Sequence, residues 1–172
     1  MEFSKVISTR CSCRSYTEEP VSDAQLQAVL AAGNAAPVGM GAYQTVYLTV
    51  IRNRGFLDAV SKTAGAFLKR DTDPLYGAPV VILVSAKPGI PPTIEFQNTG
   101  TIIENMMLAA TELGLGSCFL MGPMIAFSDP ALRARLGLPE GYEPLIGVAL
   151  GYAAGEHPTA PDRKNDNITW CN

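Results

Sequence analysis

The chain holds 172 residues with a formal net charge of −3; 47% are apolar and 17% charged. That is enough chain for one domain with a substantial core, too apolar for disorder, and too acidic to leave an electrostatic footprint for nucleic acid. The opening residues carry Glu2, Lys5 and Arg10 with no apolar core, and the longest apolar run, 78–84, falls far short of the ~20 residues of a spanning helix, so the expectation is a soluble, cytoplasmic protein without leader or membrane span.

Phe3, Val6 and Ile7 share one helical face and predict a short first helix. It leads into Thr-Arg-Cys-Ser-Cys-Arg-Ser-Tyr at 9–16, where Arg10 and Arg14 stand with Ser12 and Ser15 beside them. A guanidinium offers a fixed fork of donors that matches phosphate oxygens, and a serine hydroxyl adds a neutral donor. The stretch is either an anion site or a solvated turn. After the connector Glu18-Glu19-Pro20-Val21, Ser22 and Gln25 form a capping box for a helix with Leu26, Val29 and Leu30 on its apolar face. Gly33-Asn34 stops it. The loop from Ala35 to Tyr43 is apolar and carries Gly39 and Gly41, so its backbone can approach a flat ligand closely; an ordinary helix-to-strand connection has the same composition. Gln44 follows, with the donors and acceptor that a heterocycle's edge requires, or simply as a surface residue.

A strand is predicted over Val46 to Arg52; it is apolar on both faces, which places it in the interior of its sheet. Phe56, Leu57 and Val60 predict a helix, and 65–76 reads as irregular. Ala78 to Ala86 is the clearest strand, followed by a proline-rich loop over 87–92. The segment from Phe96 to Leu113 predicts a long helix apolar nearly all round, hence buried in the domain or at an oligomer interface. Gly114-Leu115-Gly116 ends it, and Ser117 to Met121 follows as a short buried strand broken by Gly122-Pro123. Ser128 or Asp129 caps a further helix, with Pro130 in its first turn and Gly137 at its stop, and Glu143 to Gly151 is the last strand. From residue 156 an extended tail to 172 is predicted, with Pro158 and Pro161 opposing helix. It carries Arg163, Lys164 and a lone Trp170 suited to packing against something, a second subunit included. No internal repeat or linker divides the chain, so the expectation is a single domain over 1–172.

Cys11 and Cys13 flank a single residue, which is not the spacing of a zinc knuckle or a redox pair. Cys118 reads as a small buried hydrophobe, and His157, the one histidine, as solvated in the tail. With one histidine, a catalytic triad or a multi-histidine metal site is disfavoured, and no metal is assigned. No glycine-rich fingerprint follows a first strand, so neither a Rossmann nor a P-loop site is indicated. Cationic side chains stand at both ends of the chain: Arg10 and Arg14, then Arg163 and Lys164. If the ends meet they make one anion site, and the glycine-bearing loops can hold the rest of a phosphorylated, flat, uncharged molecule.

Taken in order, these pieces resemble the FMN-dependent nitroreductase family over nearly the whole chain. The resemblance rests on Arg10-Cys-Ser-Cys-Arg14-Ser-Tyr16, the capped helix from Ser22, Ala36-Pro37 before Gln44, Glu104-Asn105 on the helix leading to Gly114-Leu115-Gly116-Ser117-Cys118, and Gly147 to Tyr152 followed by Arg163. It implies an α+β sandwich with a mainly antiparallel central sheet covered by helices, dimeric through the long helices, with FMN at the interface. By position, Arg10, Cys11, Ser12 and Arg14 would form the phosphate and ribityl segment, closed by Arg163 and Lys164. Pro37, Val38 and Gly39 would line the cofactor from the other subunit, Gln44 would lie near the ring, and Met121-Gly122 would face flavin N5.

The chain departs from the family pattern at Cys11, where arginine is usual, at Val38 to Gly41, where serine and asparagine are usual, and at Thr45 in place of proline. It is also short before the long helix, where larger members carry helices over the substrate. These changes bear on substrate and nicotinamide preference more than on FMN binding. The implied chemistry is hydride transfer from NADH or NADPH to the flavin and onward, by ping-pong at one shared face, to a nitroaromatic, a quinone or free flavin. No side chain need act as nucleophile or general acid. The rival readings are a non-catalytic flavin-binding or sensing protein, a metal protein using Cys11 and Cys13, and a subunit serving assembly alone.

Overall fold

The computed structural model describes residues 1–89, 91–155, 159–160, 164 and 166–171. Five helices and four strands organise them: α1 Phe3–Thr9, α2 Asp23–Asn34, β1 Val46–Ile51, α3 Arg54–Leu68, β2 Val80–Ala86, α4 Ile94–Glu112, β3 Gly116–Leu120, α5 Pro130–Ala134 and β4 Glu143–Gly151. The sheet order is β1-β2-β4-β3, and every strand pairing in it is antiparallel. Val50 faces Ile82 and Ile82 faces Val148, so one row of β-branched residues runs across three strands.

Period-two alternation divides the sheet's side chains between two helical layers. Val80, Ile82, Val84, Ile146, Val148 and Leu150 face Leu26 and Val29 of α2 and Ile102, Ile103 and Met106 of α4. Val81, Leu83, Cys118, Leu120 and Ala149 face Phe56, Leu57, Val60 and Ala64 of α3, with Met124, Phe127 and Leu132 from the region before and in α5. Covered on both sides, β2 is buried along its whole length. The two central helices approach closely because residue 33 has no side chain: a Cβ there would lie 2.9 Å from Met106 Cγ. Among the described residues no helix is long and apolar enough to cross a membrane.

Several expectations meet their local chemistry. Ser22 Oγ accepts from the Gln25 backbone N–H, and the Gln25 side chain accepts in return from the Ser22 N–H. Asp129, not Ser128, caps α5, accepting from the Ala131 N–H. The segment read as irregular is partly helical: α3 runs on to Leu68 and stops at Lys69 in the left-handed region. Beyond it the Asp73 carboxylate gathers the Leu75 and Gly77 N–H groups and the Ser61 hydroxyl, a turn held by one side chain. The break at Gly122-Pro123 is itself ordered, a 3-10 segment over Gly122–Ser128.

One expectation fails. β1 is an edge strand, not an interior one. Val46, Leu48 and Val50 pack against the α2–α4 layer and Ile51 against the α3 layer, and an apolar face says nothing about pairing in the plane of the sheet. The burial of β1 is correspondingly partial, with only Ile51 fully enclosed.

Candidate functional site

The arginine-bearing stretch leaves α1 in extended conformation and runs alongside β3 and the end of β4. Ser12 bridges Ser117 in parallel sense and Tyr16 bridges Ala153 in antiparallel sense. The Cys13 N–H donates to the Ser117 carbonyl (2.8 Å), Thr17 N–H to the Tyr152 carbonyl (2.9 Å), and Ala154 N–H to the Ser15 carbonyl (3.0 Å). Extended backbone alternates its side chains, and the sequence exploits that. Cys11 and Cys13 turn inward, Cys13 to 1% exposure; Arg14 is exposed, and Arg10 and Ser12 are half-buried. The thiols therefore seat the strip. Cys13 packs directly on β3: a Cβ at residue 116 would come within 2.7 Å of its Sγ.

Electrostatics keep this seat neutral. Burial pushes the Tyr16 hydroxyl far above its usual range, with the Cys13 and Cys118 thiols adding to the effect. Its O–H donates to the Cys13 carbonyl at 3.0 Å. Burial likewise pushes the Cys118 thiol up, against the opposing pull of the Arg14 charge and a hydrogen bond with Ser12. No thiolate nucleophile is set up at Cys118. Arg10 Nε meets a Glu104 carboxylate oxygen at 3.1 Å, which ties the strip to the middle of α4. Ser117 Oγ, at the bridge to Ser12, is buried with no hydrogen-bond partner. Along β3, roughly 13 Å from Ser117, the strand ends at Met121 and Gly122. Met121 is 69% exposed, and Gly122 is exposed with it.

The second group of predicted residues sits elsewhere. Pro37 is exposed and Val38 buried; Gly39, which opens a 3-10 turn, rests on α4. Its N–H donates to Asn98 Oδ1 at 2.8 Å. The Thr101 hydroxyl donates to the Pro37 carbonyl at 3.1 Å. Gln44 is exposed; its carbonyl accepts from the Tyr142 hydroxyl. Tyr142 is covered in turn by the Lys87 ammonium, 4.9 Å from its ring centre. This loop feeds β1 at one edge of the sheet, whereas the Arg10–Arg14 strip lies along β3 at the other. Three strand spacings, about 14 Å, separate those edges.

The end of β4 runs beside Ser15–Thr17, so the chain's late segment starts next to its early arginines. Lys164 is exposed, while Arg163 and His157 lie outside the described residues. Trp170 is 82% exposed in the single chain. All four cysteines are free, and among the described residues no group of three or more His, Cys, Asp or Glu could hold a metal ion. Sequence reasoning missed Asn98, Thr101 and Tyr142. Asn98 and Thr99 are set apart from the other polar residues of α4 by their burial and by falling in line with Ile102, Ile103, Met106 and Met107.

Known proteins share this arrangement. The model of the "Nitroreductase family" matches residues 7–152. A nitroreductase of Bacteroides fragilis solved with bound FMN superposes with a TM-score of 0.87 at 32% identity, each chain covered in full (100% and 100%). One from Desulfitobacterium hafniense, also with bound FMN, gives 0.87 at 30% identity over 100% of this chain and 99% of that one. A protein of Archaeoglobus fulgidus that carries the provisional name NADH dehydrogenase/NAD(P)H nitroreductase is 33% identical over 171 residues, 95% of this chain and 94% of the relative. In sequence and in fold alike, the chain belongs to the nitroreductase family.

Proposed function

We propose that the protein is an FMN-dependent oxidoreductase that takes electrons from NADH or NADPH and delivers them to a nitroaromatic, quinone or similar acceptor, working as a homodimer with FMN between the subunits. The observation that carries this reading is the row Arg10, Ser12, Arg14 beside β3, with the exposed Met121 and Gly122 just past the end of that strand. The strip suits a molecule with an anionic end and a flat end. Guanidinium groups and a serine hydroxyl are the donors a phosphate requires, and the partnerless Ser117 hydroxyl beneath them is a further buried donor.

The residues divide the work. Arg10, Ser12 and Arg14 would hold the phosphate and ribityl chain, with Cys11 contributing only backbone because its side chain is buried. Arg163 and Lys164 would close that end. Glu104 holds the Arg10 side chain in place through the ion pair. Pro37, Val38 and Gly39, with Gln44, would cover the flat end of the cofactor in the facing subunit. Their place at the opposite edge of the sheet from the arginine strip supports a site shared between two chains. Bound FMN would supply hydride acceptance from the nicotinamide and its return to an acceptor. Met121 and Gly122 would leave one approach open, so donor and acceptor would use it in turn. The Cys118 thiol and the Tyr16 phenol, held neutral by burial, are not set up as nucleophiles.

The test is the visible spectrum of the purified protein, reconstituted with FMN where necessary, before and after anaerobic NADH and then NADPH. Bleaching of a bound-flavin band is the expected outcome. A flavin band that persists with both donors means a non-catalytic flavin protein. A protein that takes up no FMN overturns the reading.

A further inference from the structure

The loop over 37–41 is Pro-Val-Gly-Met-Gly, with few side chains able to fix a conformation. Yet Met40 and Gly41 both occupy the left-handed region, at φ 59 and 65. A left-handed methionine, here 85% exposed, persists only where its surroundings impose it. The first turns of α4 impose it. Asn98 is 6% exposed, and its Oδ1 accepts the Gly39 N–H. The Thr101 hydroxyl, whose shorter bond goes to the Asn98 carbonyl (2.8 Å), shares its proton with the Pro37 carbonyl (3.1 Å). The backbone between those bonds lies flat against Ile94, whose Cδ1 would be 2.4 Å from a Cβ at residue 39. Core packing gives no reason for an amide at position 98, because a buried polar group is costly unless it is bonded. The bond it makes is to the loop.

We propose that Asn98 is a positioning residue for the cofactor site: by holding the Gly39 N–H it sets the backbone of 37–41 in the form that lies against the flat end of FMN, with Ile94 and Thr101 in support. Asn98 acts through Gly39. The inference rests on the FMN reading above and extends it to a residue on the first turns of α4, ahead of the Glu104 that pairs with Arg10.

The experiment titrates FMN into apoprotein of the wild type, Asn98→Leu and Ile94→Ala. It follows flavin fluorescence quenching and the position of the bound-flavin visible band, with thermal unfolding of each apoprotein alongside. Leucine roughly keeps the volume and strips the Gly39 N–H of its acceptor. The expected result is a rise in FMN Kd of about tenfold with a displaced visible band. Ile94 is half-buried on the first turn, so Ile94→Ala leaves the core intact and is expected to raise Kd several-fold with a similar spectral change. A folded Asn98→Leu protein that melts lower yet keeps the wild-type Kd and spectrum overturns the proposal. If Asn98→Leu does not fold, Ile94→Ala decides it by the same readouts. Wild type that binds no FMN overturns the functional reading itself, whereas wild type that binds beside unaltered variants overturns the role of Asn98 alone.

Discussion

Alternation within a few residues settles what the arginine strip can do. Cys11 and Cys13 are the anchors and Arg10, Ser12 and Arg14 the less buried groups between and beside them, a division written in the period of two and legible in the order of the residues. The sequence did not disclose the partner that Arg10 already has. Glu104 is remote in sequence, and the pair exists only because α1 packs along α4. Exposed enough to be screened, that pair contributes little stability of its own, and its effect is on where the guanidinium points. Arg10→Ala is therefore expected to leave the melting temperature nearly unchanged while weakening FMN binding by roughly 1.5–3 kcal/mol, the worth of a charged hydrogen bond. Isothermal titration with FMN measures it, and an unaltered affinity removes Arg10 from the phosphate site.

At the scale of elements, what could be read from the chain was whatever local chemistry decides. The capping box at Ser22 and Gln25, the β-branched run of β2 and the extent of β4 all fell where their residues put them, whereas α4, read as apolar nearly all round, buries one face of a helix that also carries Glu95, Gln97, Glu104 and Glu112. What could not be read was decided by neighbours in space. β1 carries the residue types of an interior strand and sits at an edge: among the described residues no strand flanks its outer side. Asn98 marked itself as unusual, but the loop it holds lies 59 residues earlier. The contact between the arginine strip and β3 belongs to the same class, and it makes residue 116 a sensitive position. Gly116→Val would drive a side chain into Cys13, whose backbone is hydrogen-bonded to the neighbouring residue of β3. The expected loss is about 1–3 kcal/mol of stability by urea denaturation, as for overpacking elsewhere, with FMN affinity falling alongside. Wild-type affinity in the folded variant would show that the strip does not need its seat.

The whole molecule carries its two candidate half-sites on opposite edges of one sheet. A single chain cannot bring them together without bending that sheet, and a sheet buried on both faces does not bend cheaply. Two chains meeting face to face would place the loop of each against the strip of the other. On that basis, FMN retention should fall as the protein is diluted, in step with the population of dimer seen by sedimentation. A monomer that holds FMN undiminished would show that each chain completes its own site. On the proposed reading, the acceptor would be chosen by what can reach Met121 and Gly122.

The edge position of β1 has a consequence for the newly made chain. Val-Tyr-Leu-Thr-Val-Ile is six residues long, uncharged, rich in β-branched and aromatic side chains, and free of proline and glycine. Such a segment with an open hydrogen-bonding edge is a template on which other extended chains can add, the geometry from which cross-β growth begins. In newly made protein, folding therefore competes with indiscriminate strand addition. Strand addition speeds up with concentration and folding of a single chain does not, so overproduction favours the wrong outcome, and whatever shields this edge early protects solubility.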